Sequence, residues 1–142
     1  MSTTPAQLIA RAYLNMHPGG SCPMHNQTSH EPRLYGGMKG TLSVPLVGCI
    51  VQRRLQQGGE DYWLVVGRKL GGKFKWVTRL YLCKITGLCS NTAVLDPSQT
   101  LELVPAHMTY FHDGSTHCYW RNEQQEEDIF TPGALPRLAA SA

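Results

Sequence analysis

The chain predicts a mainly β, α+β fold: a small twisted antiparallel sheet, or a partly open barrel, with one N-terminal helix. Three observations predict it. The apolar residues between positions 41 and 121 fall in short β-branched or alternating runs, the pattern of half-buried strands. Turn pairs such as Gly58-Gly59, Gly71-Gly72 and Asp113-Gly114 punctuate those runs. A helical period occurs near the N-terminus, where Leu8, Ile9, Ala12 and Tyr13 share a face. With 142 residues the chain fits a single domain, 1–142, long enough to bury a core without covalent staples.

The elements follow in order. The helix is expected over 4–15, with Thr4 as its cap and Pro5 at its first position. Residues 17–40 are rich in Gly, Pro, His and Asn with no apolar period, and are expected to form a long loop. Strands follow over 42–55, 62–68 and 73–85, joined by turns at 56–60 and 69–72. Pro45 marks an edge or a bulge. In the third strand Phe74, Trp76, Thr78, Leu80 and Leu82 point one way and Lys73, Lys75, Val77, Arg79 and Tyr81 the other. A tight turn that sets Arg68 opposite Lys73 adds Arg68, Val66, Leu64 and Tyr62 to the basic face. After a loop over 87–99 come a short strand at 101–104, ended by Pro105, and a hairpin of 107–112 with 116–121 around Asp113-Gly114. The tail, 122–142, reads as acidic and frayed.

Charge is distributed unevenly. The net charge is only +3, yet positions 33–84 hold ten Lys or Arg against Glu60 and Asp61, and four of the six residues 123–128 are acidic. The first function this implies is contact with nucleic acid, or with a complex that handles it, through a basic sheet face. Arg54, Arg68, Lys69, Lys73, Lys75 and Arg79 would meet phosphates, and Tyr62 and Tyr81 would stack on the bases of a single strand. An acidic protein surface fits the same cations, as for an inhibitor or adaptor of the kind that phages and mobile elements direct against host defences. The plainer account is a solvated face whose lysines block edge-to-edge aggregation.

Cys and His offer a third class, a small Cys/His-dependent enzyme or a zinc-binding protein. Cys22, His25 and His30 have spacing that can ligate zinc, given a further ligand from elsewhere, and zinc is the one cofactor expected if any is. A two-residue turn at Asp113-Gly114 would place His112 diagonally from His117 on one face and His107 with Cys118 on the other, so the four would not share a metal. His112 and His117 alone could bind one or relay a proton. Cys22 with a distant imidazole could form a nucleophilic dyad.

Other classes are excluded. No phosphate loop, dinucleotide-binding turn, nucleophile elbow or deaminase zinc pattern is present. Residues 47–54 and 66–69 are similar to the opening strands of Nudix hydrolases. Those enzymes need a glutamate-rich metal helix next, and here no acidic residue stands between Asp61 and Asp96. No run approaches the roughly 20 apolar residues of a membrane span, and the N-terminus has no secretory pattern. Of the five cysteines, an odd number with Cys49 and Cys83 inside apolar runs, most read as free thiols of a cytoplasmic protein. The oligomeric state is left open.

Overall fold

A computed structural model describes residues 3–19, 21–35, 38–55, 58–71, 76–89, 92–110, 115–122 and 125–132, with side chains for 3–19, 21–29, 44–53, 55, 58–71, 77–88 and 92–104. Among the described residues one helix, α1 (Pro5–Asn15), precedes nine strands: β1 (Ser21–Pro23), β2 (Thr28–Tyr35), β3 (Met38–Pro45), β4 (Ile50–Arg54), β5 (Glu60–Gly71), β6 (Trp76–Cys89), β7 (Thr92–Tyr110), β8 (Ser115–Asn122) and β9 (Gln125–Pro132). The expected class, mainly β with an N-terminal helix, is the observed one.

Strands β4 to β9 form an antiparallel meander, each paired with the next. β9 also returns to β4, and β1 adds to the start of β7. These pairings run full circle, thinnest between β8 and β9, where only Trp120↔Phe130 and Asn122↔Gln125 pair. The β2–β3 hairpin joins through a short parallel contact, Thr41↔Ser115 and Leu42↔Thr116.

The Thr4 hydroxyl accepts from the Gln7 N–H at 3.2 Å, and Gln7 Oε1 accepts from the Thr4 N–H at 3.0 Å. This reciprocal pair satisfies two free donors of the first turn. The helix faces the sheet differently from its expected orientation. Ala6, Ala10 and Tyr13 are buried, while Leu8 is 58% exposed. Small residues win the inner face because they let the helix sit close. At Gly67 a Cβ would lie only 2.7 Å from Ile9 Cγ2, so glycine there is what lets the helix approach.

The sheet is buried on two faces. Ala6, Ala10 and Tyr13 of α1 pack with Cys22, Ile50, Leu64, Val66, Tyr81, Cys83 and Ile85. On the other face Val44, Cys49, Val51, Trp63, Val65, Val77, Leu80, Leu82 and Leu103 form a second cluster.

Several boundaries differ from expectation. The 17–40 stretch is not a loop but holds β1, β2 and the start of β3. The β2–β3 hairpin closes through backbone pairing from Thr28↔Pro45 to Tyr35↔Met38, which requires no apolar alternation. The 42–55 strand is broken at 46–49, where Gly48 takes φ +94° and the chain turns. Of the expected 87–99 loop, residues 87–89 and 92–99 belong to strands instead. Register jumps from Cys83↔Thr100 to Lys84↔Asp96, so 97–99 leave the ladder as a bulge. Asp96 Oδ1 accepts from the Ser98 N–H at 3.0 Å and Oδ2 from Gln99 Nε2 at 2.8 Å, which closes that bulge. β7 continues past Pro105 to Tyr110, and residues 125–132 of the supposedly frayed tail are strand β9. Residues 133–142 lie outside the described residues.

Candidate nucleic-acid interface

Among the described residues the predicted face is kept in part: Tyr62, Leu64, Val66, Arg79 and Tyr81 share it, while Arg68 and Val77 do not. β5 runs to Gly71, and Gly71 pairs with Trp76, so residues 69–71 are strand rather than turn and Arg68 stands opposite Leu80 rather than Lys73. Directly opposed residues share a face. Arg68 therefore lies on the Leu80 face, and Lys69, opposite Arg79, on the other. The ladder skips Thr78 between Arg79 and Val77, which moves Val77 to the Leu80 face as well.

The two tyrosines expected to stack on bases are engaged elsewhere. Tyr81 is 6% exposed in the cluster beneath α1. Tyr62 is half-buried, and its hydroxyl donates to Glu60 Oε2 at 3.1 Å. Tyr81 is therefore not open to stack on a base, and α1 covers the part of this face around it.

What the topology gathers instead lies at one end of the sheet. In an antiparallel meander, strand ends alternate between the two ends. The ends of β5 and β7 and the starts of β6 and β8 lie together. The parallel β3–β8 contact puts the start of β3, and with it the end of β2, at that same end. This end carries Arg33 on β2, Lys39 on β3, Arg68 and Lys69 on β5, and Arg79 on β6. Among the described residues its carboxylates are Glu31 of β2 and Glu102, which accepts from Arg79 Nε at 3.2 Å. Lys69 is exposed. Arg68 is half-buried and donates from Nη2 to Ser29 Oγ at 3.2 Å, which ties β5 to the root of the β2–β3 hairpin.

The opposite end holds the acids. Glu60 and Asp61 open β5, and Glu126, Glu127 and Asp128 lie in β9 just ahead of Ile129, which pairs with Arg54. Arg53 makes a two-pronged contact with the Asp61 carboxylate, and the guanidinium lies 5.2 Å from the centre of the Trp63 ring. Trp63 Nε1 donates to Asp61 Oδ1 at 2.9 Å, so that carboxylate is neutralised within the fold. Arg54 therefore belongs with the acidic end by register, apart from the other expected phosphate contacts. Lys73 and Lys75 lie outside the described residues.

The metal and thiol constellations fare differently. His25 Nδ1 accepts from the Gln27 N–H at 3.0 Å and Nε2 lies 3.0 Å from the Val47 carbonyl, so both ring nitrogens are committed to backbone. Cys22 is fully buried in the cluster under α1. Among the described residues no group of three or more His, Cys, Asp or Glu could hold a metal ion. The side chain of His30 and all of His112 lie outside the described residues. In the β7–β8 ladder Thr109 pairs with His117 and His107 with Tyr119. His107 therefore shares a face with His117, not with Cys118. The expected two-residue turn set the register one residue out, because the strands close at Tyr110↔Thr116.

Burial pushes the Cys22 thiol above its usual range, and burial with the nearby Asp96 and Cys22 pushes Cys83 from 9.0 up to about 12. A buried neutral thiol is a weak nucleophile, so the dyad assigned to Cys22 lacks its activated group. The same shift makes stability depend on pH. In the unfolded chain Cys83 ionises near 9, while the folded chain keeps its proton to about 12. The folded state then binds more protons, and stability falls as pH rises through that window. Cys83 alone is expected to cost about 1.4 kcal/mol per pH unit above 9. Urea unfolding at pH 8, 9.5 and 10.5 measures this, and Cys83→Ala should flatten the curve. An equal slope in both proteins would show that Cys83 is not the source.

Among the described residues no helix is long and apolar enough to cross a membrane. No protein-family model, curated protein or solved structure matches this chain.

Proposed function

We propose that this protein is a binding module for nucleic acid, or for a complex that handles it, and that it meets its partner with the cation-bearing end of its sheet. The observation that supports this most directly is the separation of charge along the strands. Among the described residues Arg33, Lys39, Arg68, Lys69 and Arg79 stand at one end with Glu31 and Glu102, and Glu60, Asp61, Glu126, Glu127 and Asp128 at the other with Arg53, Arg54, Lys84 and Arg121, so one end is net basic and the other net acidic. Such a gradient orients the molecule toward a polyanion before contact and accelerates encounter.

The proposal makes salt the decisive variable. Each phosphate neutralised releases counterions and adds about −0.9 to the slope of log K against log salt. Fluorescence anisotropy of a labelled DNA duplex between 50 and 300 mM salt should give a slope of roughly −2 to −4, as expected for a few such contacts. The charge reversal Lys69→Glu should make that slope shallower by about one while leaving the melting temperature unchanged. A slope near zero in the unmodified protein would remove the function.

A further inference from the structure

We infer that the protein has a second interaction site, at the net acidic end of its sheet, where an extended peptide carrying a lysine or arginine adds as a strand along β6. This site goes beyond the nucleic-acid reading and does not rest on it.

The β5–β6 ladder ends at Trp63↔Lys84, and beyond that pair the two strands part. Residues 60–62 of β5 stay with β4, through Arg54↔Glu60, Arg53↔Asp61 and Gln52↔Tyr62. β6 runs on against β7, through Ile85↔Leu95, Gly87↔Val94 and Leu88↔Ala93. That ladder skips Thr86, and a bulge of this kind bends its strand. Among the described residues, 85–88 therefore have strand pairing on the β7 side alone, and their other backbone edge is open. An open edge takes an extended chain through main-chain hydrogen bonds, and a neighbouring pocket selects one of its side chains.

Such a pocket lies beside the same residues. A cavity of about 270 Å³ is lined by Tyr62, Ile85, Thr86, Gly87 and Leu88. Ile85, Leu88 and the Tyr62 ring supply apolar walls that continue the cluster under α1. At the rim the Tyr62 hydroxyl donates to Glu60 Oε2 at 3.1 Å, and Gln52 Nε2 donates to the same oxygen. Both donors are neutral, and among the described side chains no cation pairs with Glu60. Asp61 is taken by Arg53, and Lys84, directly opposite Trp63, lies on the other face from Tyr62. Apolar walls that end at an exposed carboxylate suit a lysine or arginine side chain. Its alkyl stem lies along the apolar surface while its charged head stays in water.

The test is an NMR titration of the whole protein with a capped pentapeptide of valine and threonine around a central lysine. The same peptide with central glutamate, its backbone N-methylated form, and n-butylammonium serve as comparisons. The lysine peptide is expected to shift the amide signals of residues 85–88 saturably. N-methylation should weaken binding by about tenfold, the share of two strand hydrogen bonds. Glu60→Gln should weaken the lysine peptide by about three- to fivefold, the size of an exposed ion pair, and Glu60→Lys should reverse the preference toward the glutamate peptide. Glu60 is exposed, so circular dichroism melts of both variants should match the unmodified protein. No shift at 85–88 with millimolar lysine peptide would overturn the site. Equal binding of the N-methylated peptide, or of n-butylammonium, would overturn strand addition, and equal binding of the glutamate peptide would overturn the basic residue. The nucleic-acid reading is tested separately by its salt slope and stands or falls apart from these results.

Discussion

Trp63→Ala is expected to lower the unfolding free energy by about 3–5 kcal/mol, the range for truncating a large buried aromatic residue. Trp63 is 4% exposed among Val51, Val65, Leu80 and Leu82, so its loss opens a cavity that surrounding β-branched side chains cannot fill. The indole does more than fill space. Its N–H donates to Asp61, and its ring lies under the Arg53 guanidinium. Truncation leaves the Arg53–Asp61 pair, whose side chains are only 16% and 15% exposed, without its third member. Trp63→Phe separates the contributions: it keeps most of the ring and deletes the donor, and should cost about 1–2 kcal/mol. Urea unfolding reads both through the midpoint, at constant m. A loss below about 1 kcal/mol for Trp63→Ala would contradict the burial on which the second cluster depends.

Gly48→Ala should cost about 2–5 kcal/mol, from two sources. The backbone there has φ +94°, a region that costs residues with a Cβ about 1–3 kcal/mol. A Cβ would also stand 2.8 Å from His25 Nε2 and 3.6 Å from the Tyr13 hydroxyl. His25 cannot swing aside cheaply, because its ring is bonded to Gln27 and Val47 on either side. Overpacking of this kind typically adds about 1–3 kcal/mol. The double substitution Gly48→Ala with His25→Ala removes the clash but not the dihedral strain. A double-mutant cycle should therefore recover about 1 kcal/mol or more of coupling. Strict additivity would show that the imidazole is not the obstacle.

Some of this protein is written locally. Thr4, Pro5 and Gln7 specify where the helix begins, since a cap needs only residues three apart. Gly58 and Gly59, with φ of +97° and +86°, specify the reversal between β4 and β5. Short β-branched runs specify the strand-rich class, and the cysteines Cys22, Cys49 and Cys83 are buried free thiols. The β2–β3 hairpin was hidden, because its ladder is made of backbone groups that every residue carries. The long β7 was hidden too, since Asp96 to Gln99 read as a loop and are a bulge within a strand.

The faces and ends were decided only by the tertiary structure. A strand has period two, so one residue of slip reverses every side chain. The bulge that leaves Thr78 out of the ladder, between Leu70↔Val77 and Lys69↔Arg79, sent Arg68 and Arg79 to opposite sides. Which of two apolar faces the helix covers depends on how closely it can approach, and Gly67 with Ala6 and Ala10 settled that. The sequence by itself determined the class of fold, the start of the helix and the imbalance of charge. The register of the strands, which long-range pairing sets, decided that this charge collects at one end of the sheet instead of across its face.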